Sequence, residues 1–184
     1  MRILGVDPGL TRCGLGVVDS SSARRVSLVD VQVATSPSSQ ETPARLALIA
    51  DTLEAMLDRH RPDAVAMERI FARSDVSTIM GTAQISGVVM LAAERRGLPL
   101  SLYTPSEVKS AVTGDGRAGK AQVGFMVQRL LGLQEAPRPA DAADALAIAI
   151  AHAWRGGAAP AGSGATTAAQ RRWAEAEKAA RRRG

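Results

Sequence analysis

The stretch of this chain that allows the fewest folds is its first strand, Ile3-Leu4-Gly5-Val6-Asp7-Pro8-Gly9. A short, almost continuously apolar run of this kind is typical of a central strand whose two faces are both covered. The run ends in a carboxylate, and burying a carboxylate is costly unless a cation or a hydrogen-bond donor meets it. Pro8 cannot donate to a sheet and Gly9 tolerates a tight turn, so Asp7 is predicted at the rim of the sheet. A hairpin turn explains the same Asp-Pro-Gly, and this stretch alone leaves both interpretations open.

Strand patterns and helix patterns alternate along the next 150 or so residues, which predicts an α/β fold with one five-stranded mixed sheet flanked by helices. Three strands joined by short turns come first and predict an antiparallel meander. The predicted strands are residues 3–9, 12–18, 25–33, 64–68 and 98–103, and the predicted helices are residues 42–60, 76–96, 120–131 and 140–154, with a further helix that starts at residue 105.

The strand at residues 64–68 also finishes on a carboxylate, Glu68. It follows a helix, and a strand reached through a helical crossover usually lies parallel to the strand before it. Parallel strands end at the same edge of a sheet. The pattern therefore predicts that Glu68 lies beside Asp7.

Two further carboxylates, Asp141 and Asp144, stand three residues apart at the start of the last predicted helix. At that spacing they share one face of the first helical turn. Favourable interaction with the helix dipole explains one such acid. Because the helix is otherwise Ala, Leu and Ile as far as Ile150 and must pack on the sheet, two acids there favour a functional site.

Four carboxylates from distant parts of the chain repel one another when they converge, and a divalent metal ion relieves that repulsion. Oxygen ligands favour Mg²⁺ or Mn²⁺ over zinc. His152 lies about 12 Å along the helix from Asp144, His60 is interpreted as a helix cap, and Cys13 is the single cysteine. Two such ions would activate a water and stabilise a leaving oxygen at phosphorus, which predicts phosphodiester hydrolysis.

A phosphodiesterase also needs side chains that hold a polyanion. An aromatic ring in a basic segment can stack on a base at a distorted site, although ordinary packing for the ring and a solvated surface for the cations remain the alternatives. The candidates follow Glu68 or surround a glycine-rich loop, and they are Arg69, Phe71, Arg73, Lys109, Arg117 and Lys120. Lys120 is also a candidate contact to the reacting phosphate or nucleophile.

The positive charge of the chain is concentrated at one end. Residues 155–184 carry seven Arg or Lys and two Glu, which gives +5, whereas residues 1–154 sum to zero. This division predicts a nuclease domain at residues 1–154 and a flexible basic tail at residues 155–184. No apolar run is long enough to span a membrane, so we expect a cytoplasmic protein.

Five motifs in order resemble the RuvC family of bacterial Holliday junction endonucleases. They are Ile3-Leu4-Gly5-Val6-Asp7-Pro8-Gly9, Glu68-Arg69-Ile70-Phe71, Thr104-Pro105-Ser106-Glu107-Val108-Lys109, Lys120-Ala121-Gln122-Val123 and Asp141-Ala142-Ala143-Asp144-Ala145-Leu146-Ala147. The resemblance runs from residue 1 to about residue 154. A lone Asp-Pro-Gly would be a weak signal, but the combination is specific.

The resemblance implies a ribonuclease H-like fold and a homodimer that nicks two opposed strands of a four-way DNA junction during recombination and repair. It further implies two Mg²⁺ or Mn²⁺ ions per active site, a preferred cleavage sequence, and work alongside the branch-migration proteins RuvA and RuvB. The family's acidic tetrad falls on Asp7, Glu68, Asp141 and Asp144, its junction-facing aromatic on Phe71, and its basic positions on Lys109 and Lys120.

The chain departs from the family pattern at two places. Arg69 stands where the family often has Gln, and Ala83-Gln84-Ile85-Ser86-Gly87 stands where the family commonly has Gly-Gln-Ala-Arg-Gly. Gln84, a candidate DNA contact, is kept, while the arginine is lost at Ser86. The lost arginine concerns contacts from the long helix and not the metal site.

Two other functions stay open at this stage. The segment from Gly5 to Thr11 also looks like the first phosphate loop of actin-like and sugar-kinase-like phosphotransferases, although those proteins use two such domains. A non-catalytic protein that binds four-way junctions is the other alternative, and four intact acids argue against it.

Overall fold

The computed structural model describes residues 1–21, 24–69 and 76–155. It contains five strands and five helices in the predicted order. The strands are β1 (Arg2–Asp7), β2 (Arg12–Ser20), β3 (Val26–Thr35), β4 (Ala64–Glu68) and β5 (Leu100–Tyr103), and the helices are α1 (Thr42–His60), α2 (Val76–Arg95), α3 (Pro105–Thr113), α4 (Lys120–Leu131) and α5 (Ala140–Arg155).

The strands form one mixed sheet in the order β3-β2-β1-β4-β5. β1 pairs antiparallel with β2, and β2 pairs antiparallel with β3. On the other side, β1 pairs parallel with β4, and β4 pairs parallel with β5. The predicted meander and the predicted parallel crossover are both confirmed.

The register of the parallel strands sets the positions of the two strand-end acids. Val6 lies beside Met67 in the pairing of β1 with β4, and Glu68 lies beside Tyr103 in the pairing of β4 with β5. Asp7 and Glu68 each occupy the last position of their strand. Both carboxylates therefore leave the sheet at the same edge.

Helices cover both faces of the sheet. One apolar core joins the sheet to α1 and α2 through side chains such as Leu15, Leu53 and Val89. A second core joins the opposite face to α3, α4 and α5 through side chains such as Ile3 and Ile148. Since both faces of β1 are buried in this way, its nearly continuous apolar sequence is explained.

Glycines in β1 and β2 let α5 lie directly on the sheet. A Cβ atom built at Gly14 would collide with the backbone carbonyl of Asp141, and one built at Gly5 would collide with that of Ala145. Gly14 is also the residue opposite Asp7 in the pairing of β1 with β2. The close approach at Gly14 thus brings the first turn of α5 next to Asp7.

His60 is not a helix cap, which corrects the sequence interpretation. Its Nε2 atom lies 2.8 Å from Asp30 Oδ2, so the ring joins α1 to β3. The C-cap of α1 is Arg61, which has a left-handed backbone with φ of 45°.

The last helix extends to Arg155, the first residue of the predicted tail, and residues 156–184 lie outside the described part of the chain. None of the helices in the described part is long and apolar enough to cross a membrane.

Candidate active site

A cleft of about 230 Å³ opens at the sheet edge where β1 and β4 end. Three carboxylates, Asp7, Glu68 and Asp144, line it together with the ammonium groups of Lys109 and Lys120. These residues come from β1, β4, α5, α3 and α4, so the cleft is assembled only when the whole domain folds. The structure thus brings together five of the residues predicted from the sequence.

Asp7 has the most perturbed carboxyl group of the cleft. Burial in the sheet, followed by the charges of Glu68, Asp144 and Asp141, raises the pKa of Asp7 to about 7, and Lys120 partly opposes this rise. Each of these causes disfavours the charged form. Asp7 therefore needs either a proton or a cation at neutral pH.

The pKa of the Glu68 carboxyl group is also raised, although less than that of Asp7. Burial and the nearby charge of Asp144 raise the pKa of Glu68, while Lys120 and Lys109 lower it. The two lysines thus supply part of the positive charge that the strand-end acids require.

Lys120 pairs with one of the two helix acids. Its Nζ atom donates a hydrogen bond of 3.2 Å to Asp144 Oδ2, and the attraction to Asp144 raises the pKa of the Lys120 ammonium. Lys120 is the first residue of α4, directly after the extended N-cap Gly119. Its side chain is 77% exposed, so it can reach solvent or a ligand from this position.

Asp141 faces a cation that sequence reasoning did not identify. Arg12 Nε lies 2.9 Å from Asp141 Oδ2, an ion pair whose geometry is not that of a hydrogen bond. That buried oxygen consequently lacks a hydrogen-bond partner among the described residues. A signal for Arg12 was present in the sequence, since it starts the strand that pairs with β1 and so lies at the same edge as Asp7.

The chemistry of these donors fits a hard divalent cation. The set is made of carboxylate oxygens, it includes an inaccessible Asp141 oxygen without a hydrogen bond, and burial raises the pKa of Asp7. Within residues 1–21, 24–69 and 76–155, however, no three His, Cys, Asp or Glu side chains are grouped as a ready metal site. Instead, Asp144 and Asp141 are engaged by Lys120 and Arg12.

The other predicted DNA contacts are placed as follows. Arg69 is exposed directly after β4, and its backbone N–H donates to the Tyr103 carbonyl. Gln84 is exposed on α2 and Arg117 is exposed in the loop before α4, and neither lines the cleft. Phe71 and Arg73 lie outside the described residues, so the structure says nothing about them.

Known proteins are similar to this chain over nearly all of its described residues. A family model described as Crossover junction endodeoxyribonuclease RuvC matches residues 3–152. RuvC of Nocardioides sp. is 62% identical over 170 residues, 92% of this chain and 96% of that protein. RuvC of Paenarthrobacter aurescens is 53% identical over 186 residues, 100% of this chain and 98% of that protein.

A solved RuvC structure has the same fold as this chain. T. thermophilus RuvC in complex with Holliday junction substrate is similar with a TM-score of 0.81 at 38% identity, over 85% of this chain and 94% of that one. This similarity confirms the ribonuclease H-like fold and sets aside the phosphotransferase alternative. The chain belongs to the RuvC family of crossover junction endodeoxyribonucleases.

Proposed function

We propose that this protein resolves four-way DNA junctions by hydrolysing one phosphodiester bond in each of two opposed strands. The observation that carries the proposal is the meeting of Asp7, Glu68 and Asp144 with Lys109 and Lys120 in one cleft of a RuvC-family chain. Carboxylates and ammonium groups at one sheet edge suit a reaction in which negative charge develops on phosphate oxygens.

RuvC nucleases are metal-dependent. We propose that Asp7, Glu68, Asp141 and Asp144 hold two Mg²⁺ ions, with Mn²⁺ able to replace them. When bound, such a pair of ions activates a water and stabilises the leaving oxygen. The chain's own contribution is to fix the carboxylates: strand register positions Asp7 and Glu68, and the packing of α5 on Gly14 positions Asp141.

The lysines have a different role in this proposal. Lys120 neutralises Asp144 in the structure described here, and its exposed ammonium can move onto the phosphate when the carboxylate gains another cation. Lys109 is half-buried in the same cleft and supports the charge of Glu68. Arg69, Arg73, Arg117 and Gln84 are proposed as contacts to DNA away from the cleaved bond, and Phe71 as a stacking wedge.

Cutting two opposed strands calls for two active sites, and we propose a homodimer. Three of the six large apolar side chains that are exposed in the described part of the chain lie on α2, and they are Met80, Met90 and Leu91. A symmetric contact between two α2 helices would cover them. We further propose, on the family resemblance alone, that the protein acts in the cytoplasm and works alongside the branch-migration proteins RuvA and RuvB.

We also propose that the basic tail adds non-specific affinity for DNA. Its excess of Arg and Lys would release counterions from the phosphate backbone, an effect that salt weakens. Residues 156–184 therefore serve binding and not the reaction itself.

The deciding experiment compares cleavage of a four-way junction and of a linear duplex in Mg²⁺. Wild type should nick opposed strands of the junction, whereas Asp7→Asn and Asp144→Asn should bind it without cutting. A non-catalytic binder would shift the junction in a gel and leave it intact at every metal concentration. That result with wild type would overturn the proposed activity.

A further inference from the structure

A second cleft, of about 370 Å³, lies beside the active site between the β1–β2 turn, α1 and α2. We call it the flanking cleft. Its lining includes two arginines and three threonines, and none of its lining side chains, all in the described part of the chain, is acidic. The residues that matter to its chemistry are Thr11, Arg12, Arg45, Thr78 and Thr82.

Arg45 is held in place over this cleft. Its Nε atom donates to Ser36 Oγ at 3.0 Å, and its Nη2 atom donates to Thr11 Oγ1 at 2.9 Å. Ser36 is 3% exposed and donates in turn to the Leu10 carbonyl. The guanidinium is therefore pre-oriented, while its Nη1 atom makes no hydrogen bond to a described residue.

Arg12 connects the flanking cleft with the active site. It lines this cleft and also lies 2.9 Å from Asp141, and its side chain is 58% exposed. Thr11 and Arg12 follow Asp7 by only a few residues along the β1–β2 turn. Through Arg12, a ligand with anionic groups spaced along a chain would contact the flanking cleft and the active site together.

The lining identifies the ligand by its chemistry. Arginine forks and threonine hydroxyls are donors suited to phosphate oxygens, and arginine binds them through two parallel hydrogen bonds. Gly81 lets α2 lie close to the β1–β2 turn, since a Cβ there would be only 3.0 Å from the Leu10 side chain. At about 370 Å³ the cleft has room for a phosphodiester group.

We propose that the flanking cleft binds a backbone phosphate of the cleaved strand next to the scissile one, with Arg45 as the fixed ligand and Arg12 as the shared one. The inference rests on the proposed nuclease function, and it adds a specific strand-positioning contact to it. In a merely structural role, Arg45 would tie α1 to the β1–β2 turn and leave DNA affinity unchanged.

The test measures junction binding in Ca²⁺ without cleavage. Arg12→Gln, Arg45→Gln and the double variant are compared with Arg25→Gln, a control that removes the same charge from an exposed position near the far end of β3. Loss of one phosphate contact should lower the slope of log K against log salt by about 0.9. Affinity at moderate salt should fall roughly three- to tenfold in the double variant and by much less in the control.

Single methylphosphonate linkages locate the phosphate. One neutral linkage near the cut should weaken wild-type binding and have no further effect in the double variant, because the contact is already lost. Thermal unfolding checks that each variant folds. If Arg45→Gln unfolds, Arg12→Gln carries the salt measurement. Arg45→Lys and Thr82→Val, which keep the charge and alter only the donors, are then tested for loss of the methylphosphonate effect.

Two outcomes overturn the inference: an unchanged salt slope in the folded Arg→Gln variants, or a methylphosphonate effect that is equal in wild type and variant at every position. Neither outcome touches the proposed function, which wild-type cleavage of junctions tests separately. Conversely, if the salt and linkage effects appear but wild type does not cut the junction, the phosphate contact is supported and the proposed nuclease function is contradicted.

Discussion

Asp7 and Glu68 end two adjacent parallel strands in register, one residue beyond the Val6–Met67 pair. Backbone hydrogen bonds of the sheet hold the strands, so the two carboxylates cannot move apart without breaking the ladder. Glu68 accordingly contributes to the raised pKa of Asp7, after burial itself. The fold thus stores an electrostatic repulsion that only a proton or a cation relieves.

From this repulsion we predict how the stability of the metal-free protein depends on pH. The pKa of Asp7 is about 7 in the folded protein against an ordinary value of 3.8, so the folded state binds this proton more tightly than the unfolded state does. The free energy of unfolding therefore falls as the pH rises from about 4 to about 7. Asp7→Asn has no charge to bury. Measured by urea unfolding in EDTA, it should be more stable than wild type at pH 8, by about 4 kcal/mol at most, and equal to it near pH 4.

Two controls accompany this measurement. Asp19 pairs with Arg2, which lowers the pKa of Asp19, so Asp19→Asn should be less stable than wild type at pH 8. Adding Mg²⁺ should stabilise wild type and leave Asp7→Asn unchanged, since binding to the folded state adds stability. A variant that is less stable than wild type at pH 8 in EDTA would contradict the electrostatic account of Asp7.

The Lys120–Asp144 pair leads to a second prediction. Lys120→Gln removes the positive charge nearest the cleft acids but keeps much of the side-chain volume. We expect single-turnover cleavage at saturating enzyme to fall about a hundredfold, while junction affinity changes less than tenfold. Lys120→Arg, which keeps the charge, should recover part of the rate. Equal losses for both variants would show that the shape of lysine matters and not its charge.

Much of this site was predictable because it depends on local patterns. Asp7 and Glu68 stand at the ends of short apolar strands, and a helix between two such strands fixes their parallel order. Asp141 and Asp144 were predictable because three-residue spacing puts them on one helix face. These inferences need no knowledge of how side chains meet across the fold.

Arg12 and Arg45 were not predictable in the same way. Arg12 pairs with Asp141, which is 129 positions away in the sequence. Arg45 is held by Ser36, a residue whose sequence context is typical of an exposed loop and whose burial only the structure shows. Such contacts depend on the tilt of α5 and α1 against the sheet, which periodicity does not encode. His60 was misread for the same reason, since its partner Asp30 comes from β3.

The contact between Gly14 and α5 gives a third prediction. Gly14→Ala would place a methyl group against the Asp141 carbonyl, forcing the first turn of α5 away from the sheet. We expect lower thermal stability and loss of Mg²⁺-dependent stabilisation, together with loss of cleavage. Gly124→Ala is the matched control: it lies within α4 with open space around it and should stabilise the protein by up to about 1 kcal/mol. If Gly14→Ala and Gly124→Ala had the same thermal stability and the same cleavage rate, Gly14 would have no role in positioning the active site.

The last prediction concerns Phe71, which lies outside the described residues and follows Glu68 by three positions. If its ring stacks into a distorted junction, Phe71→Ala should slow cleavage of an intact four-way junction much more than cleavage of a junction loosened by a nick, because base–aromatic stacking contributes about 1–3 kcal/mol per base. The only other phenylalanine, Phe125, is 55% exposed on α4 and does not line the active-site cleft, so Phe125→Ala serves as the control. Cleavage rates on both substrates should be the same for Phe125→Ala and wild type. An equal slowing of both substrates by Phe71→Ala would instead assign Phe71 to packing next to Glu68.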